Sequence, residues 1–406
     1  MKAKRFFGKL AALTLTVAVT VGCVFGLASC GGKKNVNYAE NNTTIKIGVS
    51  GPLTGGAAVY GVAVRNSAQL AINEINEKGG LDGILFEFVM TDDKHDPNLV
   101  AANYANMLEG GMQISLGTVT TAPGLEFKEF SHDDNVFVLT PSASGDNIPE
   151  YDNAFQMCFA DSNQGTASAK FFNENYQGKK VGIFFKSDDE YSTGIKDKFL
   201  QELSSSFTVE EASFKEQESD FSTQIQTLKD CDVIFMPIYY TPASQFMFQG
   251  KNTVKSTAIY YGCDGLDGID AIDGFDINSI TQEVSYLSHF NSGATTGAAA
   301  EFIAKYNAAY DEAAEPLNQF GAAAYDCVYA IYEALKVAKA AGKEFSVTTS
   351  ASDFCDILTE VFAGDFVFKG VTGAPESDGY SRISWTAQGF VNKEAVKYVV
   401  KECTAE

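Results

Sequence analysis

The sequence predicts an α/β protein with two lobes, each a parallel sheet covered by helices on both faces. Short apolar strands alternate with helix-length amphipathic segments, which is typical of parallel sheets. The alternation begins again near residue 160, and 406 residues with 45% apolar content suffice for two domains with their own cores. The sequence has no short internal repeat, so a solenoid is not expected. The expected architecture is therefore a pair of αβ lobes.

The first run of elements extends from residue 45 to residue 139. After strand 45–49 and loop 50–56 comes a helix that Gly79-Gly80 can end. Its apolar residues fall on one face of a 3.6-residue period: Val64, Ala68, Ala71, Ile72 and Ile75. The remaining predicted elements are strand 84–90, a helix from Pro97 to Leu108, strand 114–116, a short helix after Pro123, and strand 136–139.

The second run repeats this alternation and ends in long Ala-rich helices. Its predicted elements are helix 165–175, strand 180–185, helix 194–203, a strand around Val209, helix 223–228, strands 232–236 and 258–261, and helices 298–314 and 320–341. Open parallel sheets bind ligands beyond the carboxyl ends of their strands. A site is therefore expected in loops rich in hydroxyl groups, glycine and tyrosine: 50–56, 118–123, 140–145, 186–194, 239–242 and 262–265.

The charge and the rare side chains limit the possible functions. With 52 acidic and 30 basic residues the net charge is -22, which argues against nucleic acid as a partner. The three histidines are scattered and the cysteines are widely spaced, so neither a metal site nor a cofactor is expected. A hydrolase triad lacks its base, and no Gly-x-Ser-x-Gly elbow occurs. No catalytic residue is assigned, although Asp161 and Asp264 could be imagined as an acid-base pair.

The amino terminus has the features of an export signal. A basic segment precedes an uncharged apolar stretch from Leu10 to Ala28. Leu27-Ala28-Ser29-Cys30 resembles a bacterial lipoprotein box, which predicts a signal peptide over residues 1–29 and a lipid on Cys30; Cys23 is a weaker candidate. A plain transmembrane anchor is the alternative, because the stretch approaches the roughly 20 residues needed to span a bilayer. Either interpretation places the rest of the chain outside the cytoplasm.

Removal of residues 1–29 would leave 26 basic and 52 acidic residues, a net charge of -26. Residues 30–43 are polar and without an apolar period, so they are expected to be a flexible tether. Six cysteines remain after Cys23 and Cys30, and the sequence cannot choose among their pairings or exclude free thiols.

Eight motifs occur in the order found in bacterial leucine/isoleucine/valine-binding proteins, the amino-acid-binding lipoproteins of ABC importers. They are IKIGVSGPLTGGAAVYG, AINEINEKGGLDG, TDDKHDP, LTPSAS, DSNQG, DEYSTG, GCDG and FKGVTGAPESDG. The resemblance covers nearly all of the chain after residue 44. It implies the type I periplasmic binding protein fold, with two Rossmann-like αβ lobes joined by three hinge strands. The implied lobes are 44–159 with 287–380, and 160–286 with 381–406.

The resemblance also implies a set of ligand-binding residues. Thr121 matches a carboxylate-binding serine, and the segment Ser142, Ala143 and Ser144 would supply a main-chain carbonyl, a hydroxyl and an amide. Asp264 matches an acidic residue that faces the ligand ammonium, and Asp161 is a second acid. Without the resemblance, helix capping or a turn would explain these residues. Three tyrosines would line the cleft around the aliphatic part of the ligand: Tyr60, Tyr191 and Tyr239.

Some positions depart from the family pattern. The best-known members have a cysteine pair at the positions of His95 and Thr120, so that disulfide cannot form here. His95 is interpreted as a surface loop residue. Ser142 and Ser144 replace an alanine and a threonine, and Thr121 replaces a serine, which bears on the choice of ligand more than on its class.

The expected function is that of a monomeric, extracytoplasmic solute-binding lipoprotein. It would bind an amino acid, branched-chain or otherwise aliphatic, by hinge closure and deliver it to an ABC permease in the membrane. The alternatives are another small amide or carboxylic acid as ligand, or a sensory role for the same scaffold.

Overall fold

The computed structural model describes residues 37–272, 274–311 and 313–405. The predicted signal peptide, Cys23, Cys30 and the first part of the tether lie outside these residues. The later part of the tether, residues 37–43, forms a turn held by hydrogen bonds from Asn37 Nδ2 to the Thr348 carbonyl (2.9 Å) and from Asn42 Nδ2 to the Gly111 carbonyl (2.8 Å). These residues therefore belong to the folded body.

The first lobe contains a sheet of five parallel strands in the order β2-β1-β3-β4-β5. In β1 the side chains of Ile45, Ile47 and Val49 on one face and of Ser50 on the other are fully buried, as expected for an internal strand covered on both faces. The strands and the helices between them are β1 (Ile45–Gly51), α1 (Ala58–Glu77), β2 (Phe86–Asp92), α2 (Val100–Glu109), β3 (Ile114–Thr118), α3 (Thr121–Asp133), β4 (Val138–Thr140) and β5 (Ala154–Gln156).

The second lobe contains a sheet of six strands in the order β13-β10-β9-β8-β6-β7, parallel except for β13, which runs antiparallel to β10. Its elements are α4 (Asp161–Asn175), β6 (Lys180–Lys186), α5 (Glu190–Glu202), β7 (Thr208–Phe214), α6 (Ser222–Leu228), β8 (Val233–Met236), α7 (Tyr240–Gly250), β9 (Ile259–Gly262), β10 (Glu283–Ser288) and β13 (Val396–Lys401).

Between β10 and β13 the chain returns to the first lobe. It forms α8 (Gly297–Ala309), α9 (Gln319–Ala340), α10 (Ala351–Phe362) and a ribbon of β11 (Phe368–Pro375) and β12 (Ser381–Ile383). Helix α9 lies against α1, where the hydroxyls of Tyr325 and Tyr329 donate to Glu74. The chain therefore passes between the lobes after β5, after β10 and before β13.

This architecture confirms the predicted fold class, a type I periplasmic binding protein with two αβ lobes. The exact lobe boundaries stay a prediction. Among the described residues, none of the helices is long and apolar enough to cross a membrane. The six cysteines in this part of the chain are free thiols, five of them buried and Cys403 exposed.

Candidate functional site

A small closed cavity lies between the two lobes, where the strand-end loops meet. Its volume is about 10 Å³, enough for a single water at most. The cavity is therefore too small for an organic ligand in this arrangement. The cavity is lined by Tyr60, Val119, Thr120, Thr121, Ser142, Ser144, Tyr191, Tyr239, Asp264, Gly265 and Phe320.

The wall from the first lobe carries hydroxyl groups that are already hydrogen-bonded within the lobe. Ser142 Oγ donates to the Val119 carbonyl at 2.5 Å. Thr121 Oγ1 accepts the Gly145 N–H at 3.2 Å, which leaves its own hydrogen free to donate. These internal bonds hold the wall in shape because each loop is tied to its neighbour.

Helix α3 begins at this wall. Thr120 is its N-cap residue and Thr121 its first helical residue, yet the Thr120 side chain makes no capping hydrogen bond. The first N–H groups of a helix and its dipole favour a negative group. The N-terminus of α3 and the Thr121 hydroxyl together suit a carboxylate.

The wall from the second lobe carries aromatic rings and a buried acid. Tyr191 and Tyr239 are stacked, with ring centroids 4.7 Å apart and an interplanar angle of 13°. The Tyr191 hydroxyl donates to Asp264 Oδ1 at 2.7 Å and accepts the Gly265 N–H at 2.9 Å. The tyrosine thus holds one carboxylate oxygen and the loop beside it.

Asp264 has a second oxygen that is buried and unsatisfied. Oδ2 meets no hydrogen-bond partner within the described chain, and the residue is only 1% exposed. Burial raises the pKa of Asp264 to about 6, and hydrogen bonds from the side chains of Tyr191 and Gln164 oppose that rise. A buried carboxylate with one free oxygen is costly unless a cationic donor reaches it. A ligand ammonium would meet this need.

Tyr60 connects the two lobes. From α1 its hydroxyl donates to the Gly265 carbonyl at 2.5 Å and accepts the Tyr240 N–H at 3.4 Å. Nearby, the Thr241 hydroxyl donates to the Gly56 carbonyl at 2.7 Å. These contacts define the closed arrangement of the lobes.

Two of the predicted binding residues do not line the cavity. Ala143 is fully buried, its N–H donates to Thr140 Oγ1 at 3.1 Å, and its carbonyl accepts from Gln156 Nε2 at 3.0 Å. Its main-chain groups are therefore already used in holding the loop.

Asp161 lies behind the wall, next to Ser144. It is the first residue of α4, whose N-cap is Ala160, so the capping role considered for it is wrong. Burial raises the pKa of Asp161 well above its ordinary value, opposed by a hydrogen bond with Ser144, and the charge of Asp264 raises it further. Its Oδ1 is also buried without a hydrogen-bond partner among the described residues.

Four lining residues have no assignment in the sequence-based set: Val119, Thr120, Gly265 and Phe320. Thr120 and Gly265 are direct neighbours of predicted residues, and the hydroxyl of Thr120 was a usable signal. Phe320 follows the Asn318 N-cap of α9, more than 50 residues beyond Asp264, and no local motif marks it.

His95 lies in the turn that follows β2, as expected of a loop residue, but it is only partly exposed. Its ring is half-buried at the edge of the cleft, and Nδ1 lies 2.9 Å from Thr120 Oγ1. The two positions occupied by a cysteine pair in the best-known family members are thus joined here by a hydrogen bond.

A larger groove, about 1050 Å³, lies on the first lobe among α1, α8, α9 and α10. Glu74 in this groove accepts from Tyr325, Tyr329 and Lys305 at Oε2, and its Oε1 is likewise buried without a partner among the described residues. The small cavity between the lobes is the better candidate site, because it combines a buried free carboxylate oxygen with hydroxyl donors and a helix N-terminus.

The fold and this site define a class: proteins with two αβ lobes that enclose a small solute between them. The sequence profile of the periplasmic binding protein family matches residues 44–380. The chain belongs to this family, which is a family of solute-binding proteins.

Three known proteins illustrate the similarity. A Leu/Ile/Val-binding protein, BraC3 of Rhizobium johnstonii, is 26% identical over 86% of this chain and 94% of its own. The branched-chain amino acid transporter substrate-binding protein LivJ of Streptococcus pneumoniae, solved with isoleucine, has a TM-score of 0.69 and 26% identity over 87% of this chain and all of its own. A benzoate complex of an R. palustris ABC transporter solute-binding protein shares the fold at a TM-score of 0.71, with 17% identity over 89% of this chain and 94% of its own.

Proposed function

We propose that this protein is the extracytoplasmic binding component of an ABC importer and that it encloses an aliphatic amino acid, branched-chain in the first place. The free oxygen of Asp264 in the closed cavity is the observation that carries the proposal. It offers an ammonium group a buried anionic partner, which a ligand without a cationic donor would leave unpaired.

The ligand would extend between the two walls. Its carboxylate would face the N-terminus of α3 and the Thr121 hydroxyl, with Ser142 and Ser144 beside it, and its ammonium would face Asp264. Tyr60, Tyr191, Tyr239 and Phe320 would cover the aliphatic side chain. The relatives named for leucine, isoleucine and valine support this class of ligand.

The decisive experiment is recovery of the bound compound. The purified protein is stripped of ligand by reversible unfolding and incubated with leucine, isoleucine, valine, alanine and benzoate. It is then separated by gel filtration, and the bound fraction is analysed by mass spectrometry. An unaltered amino acid is expected. A chemically changed product would contradict a binding function, and the Asp264→Asn variant is the matched control for retention.

A second candidate ligand is a small carboxylic acid without an amino group. The benzoate complex of a protein with the same fold favours this possibility. Asp264 argues against it, because a carboxylate ligand would leave the free oxygen of Asp264 unpaired. Retention of benzoate alone would establish the second candidate.

The proposed location includes a lipid anchor on Cys30, supported by the resemblance of residues 27–30 to a lipoprotein box. Replacement of Cys30 by alanine is expected to abolish labelling of the protein with a radioactive fatty acid and to leave the signal uncleaved. The matched control is Cys23→Ala, which should be labelled normally. The reverse pattern would move the anchor to Cys23.

A further inference from the structure

His95 occupies an unusual backbone position at the edge of the cleft. It follows β2 on the first lobe with φ at 63°, and its backbone N–H donates to Asp93 Oδ1 at 2.9 Å. Left-handed backbone is uncommon for residues other than glycine, with asparagine, aspartate and histidine the most tolerated. The surrounding contacts hold the residue in this conformation.

The ring of His95 contacts both walls of the candidate site. On the first lobe its Nδ1 is hydrogen-bonded to Thr120 Oγ1, which keeps that hydroxyl away from the N-terminus of α3. On the second lobe its edge meets Tyr239, with centroids 5.1 Å apart and an interplanar angle of 78°. Since Thr120 and Tyr239 both line the cavity, His95 is placed to position each of them.

The contact with Tyr239 continues to the buried acid. Tyr239 stacks on Tyr191, and the Tyr191 hydroxyl is bonded to Asp264. A chain of direct contacts thus runs from His95 to the carboxylate proposed to bind the ammonium. Parting the lobes separates His95 from Tyr239 and breaks this chain.

The environment of the ring favours its neutral form when the cleft is closed. Burial lowers the pKa of His95, and the carboxylate of Asp189 opposes that effect. Lys186 Nζ lies 3.9 Å from Asp189 Oδ2, and Lys186 also forms an ion pair with Glu216. The charged groups that face the ring from its own segment and from the second lobe are Asp93, Asp96, Lys186, Asp189 and Glu216.

We propose that His95 is a positioning residue that holds Tyr239 over the ligand and allows the cleft to close only as the neutral imidazole. This inference rests on the proposed function for its effect on amino-acid binding. Opening exposes the ring to water and returns its pKa towards the ordinary value of about 6.5. As the pH falls below that value, the open form takes up a proton that the closed form excludes. Affinity then falls by up to about tenfold per pH unit because of this residue.

One test needs no amino acid. A Cβ atom built at Gly56 would lie 4.0 Å from Thr241 Cβ, within the range of about 3.5–4.5 Å for a disulfide. Gly56→Cys with Thr241→Cys, in a Cys403→Ser background, should therefore lock the lobes together when oxidised.

The titration of His95 is then followed by NMR in the oxidised and reduced proteins. The chain has only three histidines, so the spectrum of a His95→Asn variant assigns the His95 signal. A lower pKa in the locked protein is expected. Equal pKa values in the locked and reduced proteins would overturn the proposal.

The second test uses L-leucine and calorimetry between pH 5 and pH 8. Asparagine tolerates positive φ and can hydrogen-bond Thr120, but it does not titrate. His95→Ala should lower the affinity about tenfold at pH 7.5, and His95→Asn, which keeps a partner for Thr120 but has no ring to contact Tyr239, should restore only part of it. Below pH 6.5 the affinity of the wild type should fall more steeply than that of His95→Asn. Parallel pH profiles would refute the role of His95.

These outcomes separate the two proposals. If no amino acid binds to the wild type at pH 7.5, the proposed function fails, while the locked and reduced titrations still decide whether closure depends on His95. Asp264 contributes equally to the pH dependence of affinity in the wild type and in His95→Asn. The difference between their two pH profiles is therefore due to His95.

Discussion

The two walls of the cleft satisfy their polar groups in opposite ways. On the first lobe, Ser142 and Thr121 are bonded to neighbouring loops, so this wall is formed before a ligand arrives. On the second lobe, Asp264 keeps an oxygen without a partner in the described structure. The first lobe thus contributes a wall whose hydroxyl groups are already hydrogen-bonded. The second lobe contributes a buried carboxylate oxygen that has no partner in the part of the chain described.

The largest effect is expected from Asp264→Asn. Loss of a buried charge opposite an ammonium costs about 3–5 kcal/mol, or roughly two to three and a half orders of magnitude in affinity. Calorimetry with the recovered amino acid measures the change. Asp326→Asn is the matched control: this acid is also buried, but it accepts the Val371 and Thr372 N–H groups within the first lobe and does not line the cavity. It should lower the melting temperature and spare the affinity, and a loss below fivefold for Asp264→Asn would refute the assigned role.

The raised pKa of Asp264, on the wall from the second lobe, predicts how the affinity for the amino acid depends on pH. Its pKa near 6 in the ligand-free protein means that the carboxyl is increasingly protonated below pH 6, when it no longer attracts an ammonium. Affinity should fall about tenfold per unit below pH 6 in a His95→Asn background, in which the ring no longer titrates. Asp264→Asn in that background should show a flat profile. A slope that survives this substitution would place the titrating group elsewhere.

The same shift predicts an opposite effect on stability. A carboxyl with a folded pKa of about 6 stabilises the fold below its unfolded value of 3.8, and this contribution is lost as the pH rises through 6. The ligand-free Asp264→Asn variant should therefore unfold at higher denaturant concentration than the wild type at pH 8. Equal denaturant midpoints for the variant and the wild type would show that the unpartnered oxygen of Asp264 does not lower the stability of the fold. The contrast between the two walls would then be refuted.

A smaller effect is expected from Tyr191→Phe. It removes the hydrogen bond to the charged Asp264 and leaves the Gly265 N–H without its acceptor. A bond of this kind contributes about 1.5–3 kcal/mol, or roughly 10–100-fold in affinity. Tyr260→Phe is the control, because this buried hydroxyl lacks a partner in the part of the chain that is described. Equal affinities for the two variants would show that Tyr191 only fills space.

The smallest change in affinity is expected from Ser142→Ala on the first wall. It leaves the Val119 carbonyl without its donor, which should lower the free energy of unfolding by about 1 kcal/mol. The affinity should fall by less than about threefold, because this wall keeps its other bonds. Ser131→Ala removes a similar buried bond, to the Lys128 carbonyl, away from the site and serves as the control in urea titrations. An affinity loss above tenfold would reverse the comparison between the walls.

The sequence was most informative where a pattern was local. The apolar face of α1 predicted its helix, and strands such as β6 were found close to their predicted bounds. Some elements without a prediction were short or formed by long-range pairing, whereas α10 was missed although Phe354, Leu358 and Phe362 fall on one helical face. Helix α7 contains Pro242 and no clear apolar period, and β13 joins the second sheet only by pairing with β10, more than 100 residues earlier.

The site shows the same limit. Motifs marked Thr121, Tyr191 and Asp264 because each follows a strand in a recognisable loop. They could not mark Phe320 or His95 as cleft residues, because these positions depend on how the lobes meet. Ala143 and Asp161 stand in the motifs but lie outside the cavity, since sequence adjacency does not decide which face of a loop is exposed.

The amino-acid sequence by itself determined the two αβ lobes, the family and most of the polar residues at the strand ends. These follow from local hydrophobic periods and from motifs that can be recognised before their contacts are known. Only the tertiary structure decided which oxygen of which acid is left without a partner, and that a histidine links the two walls. Both properties arise from burial and from contacts between segments far apart in the chain, and these exist only when the lobes come together.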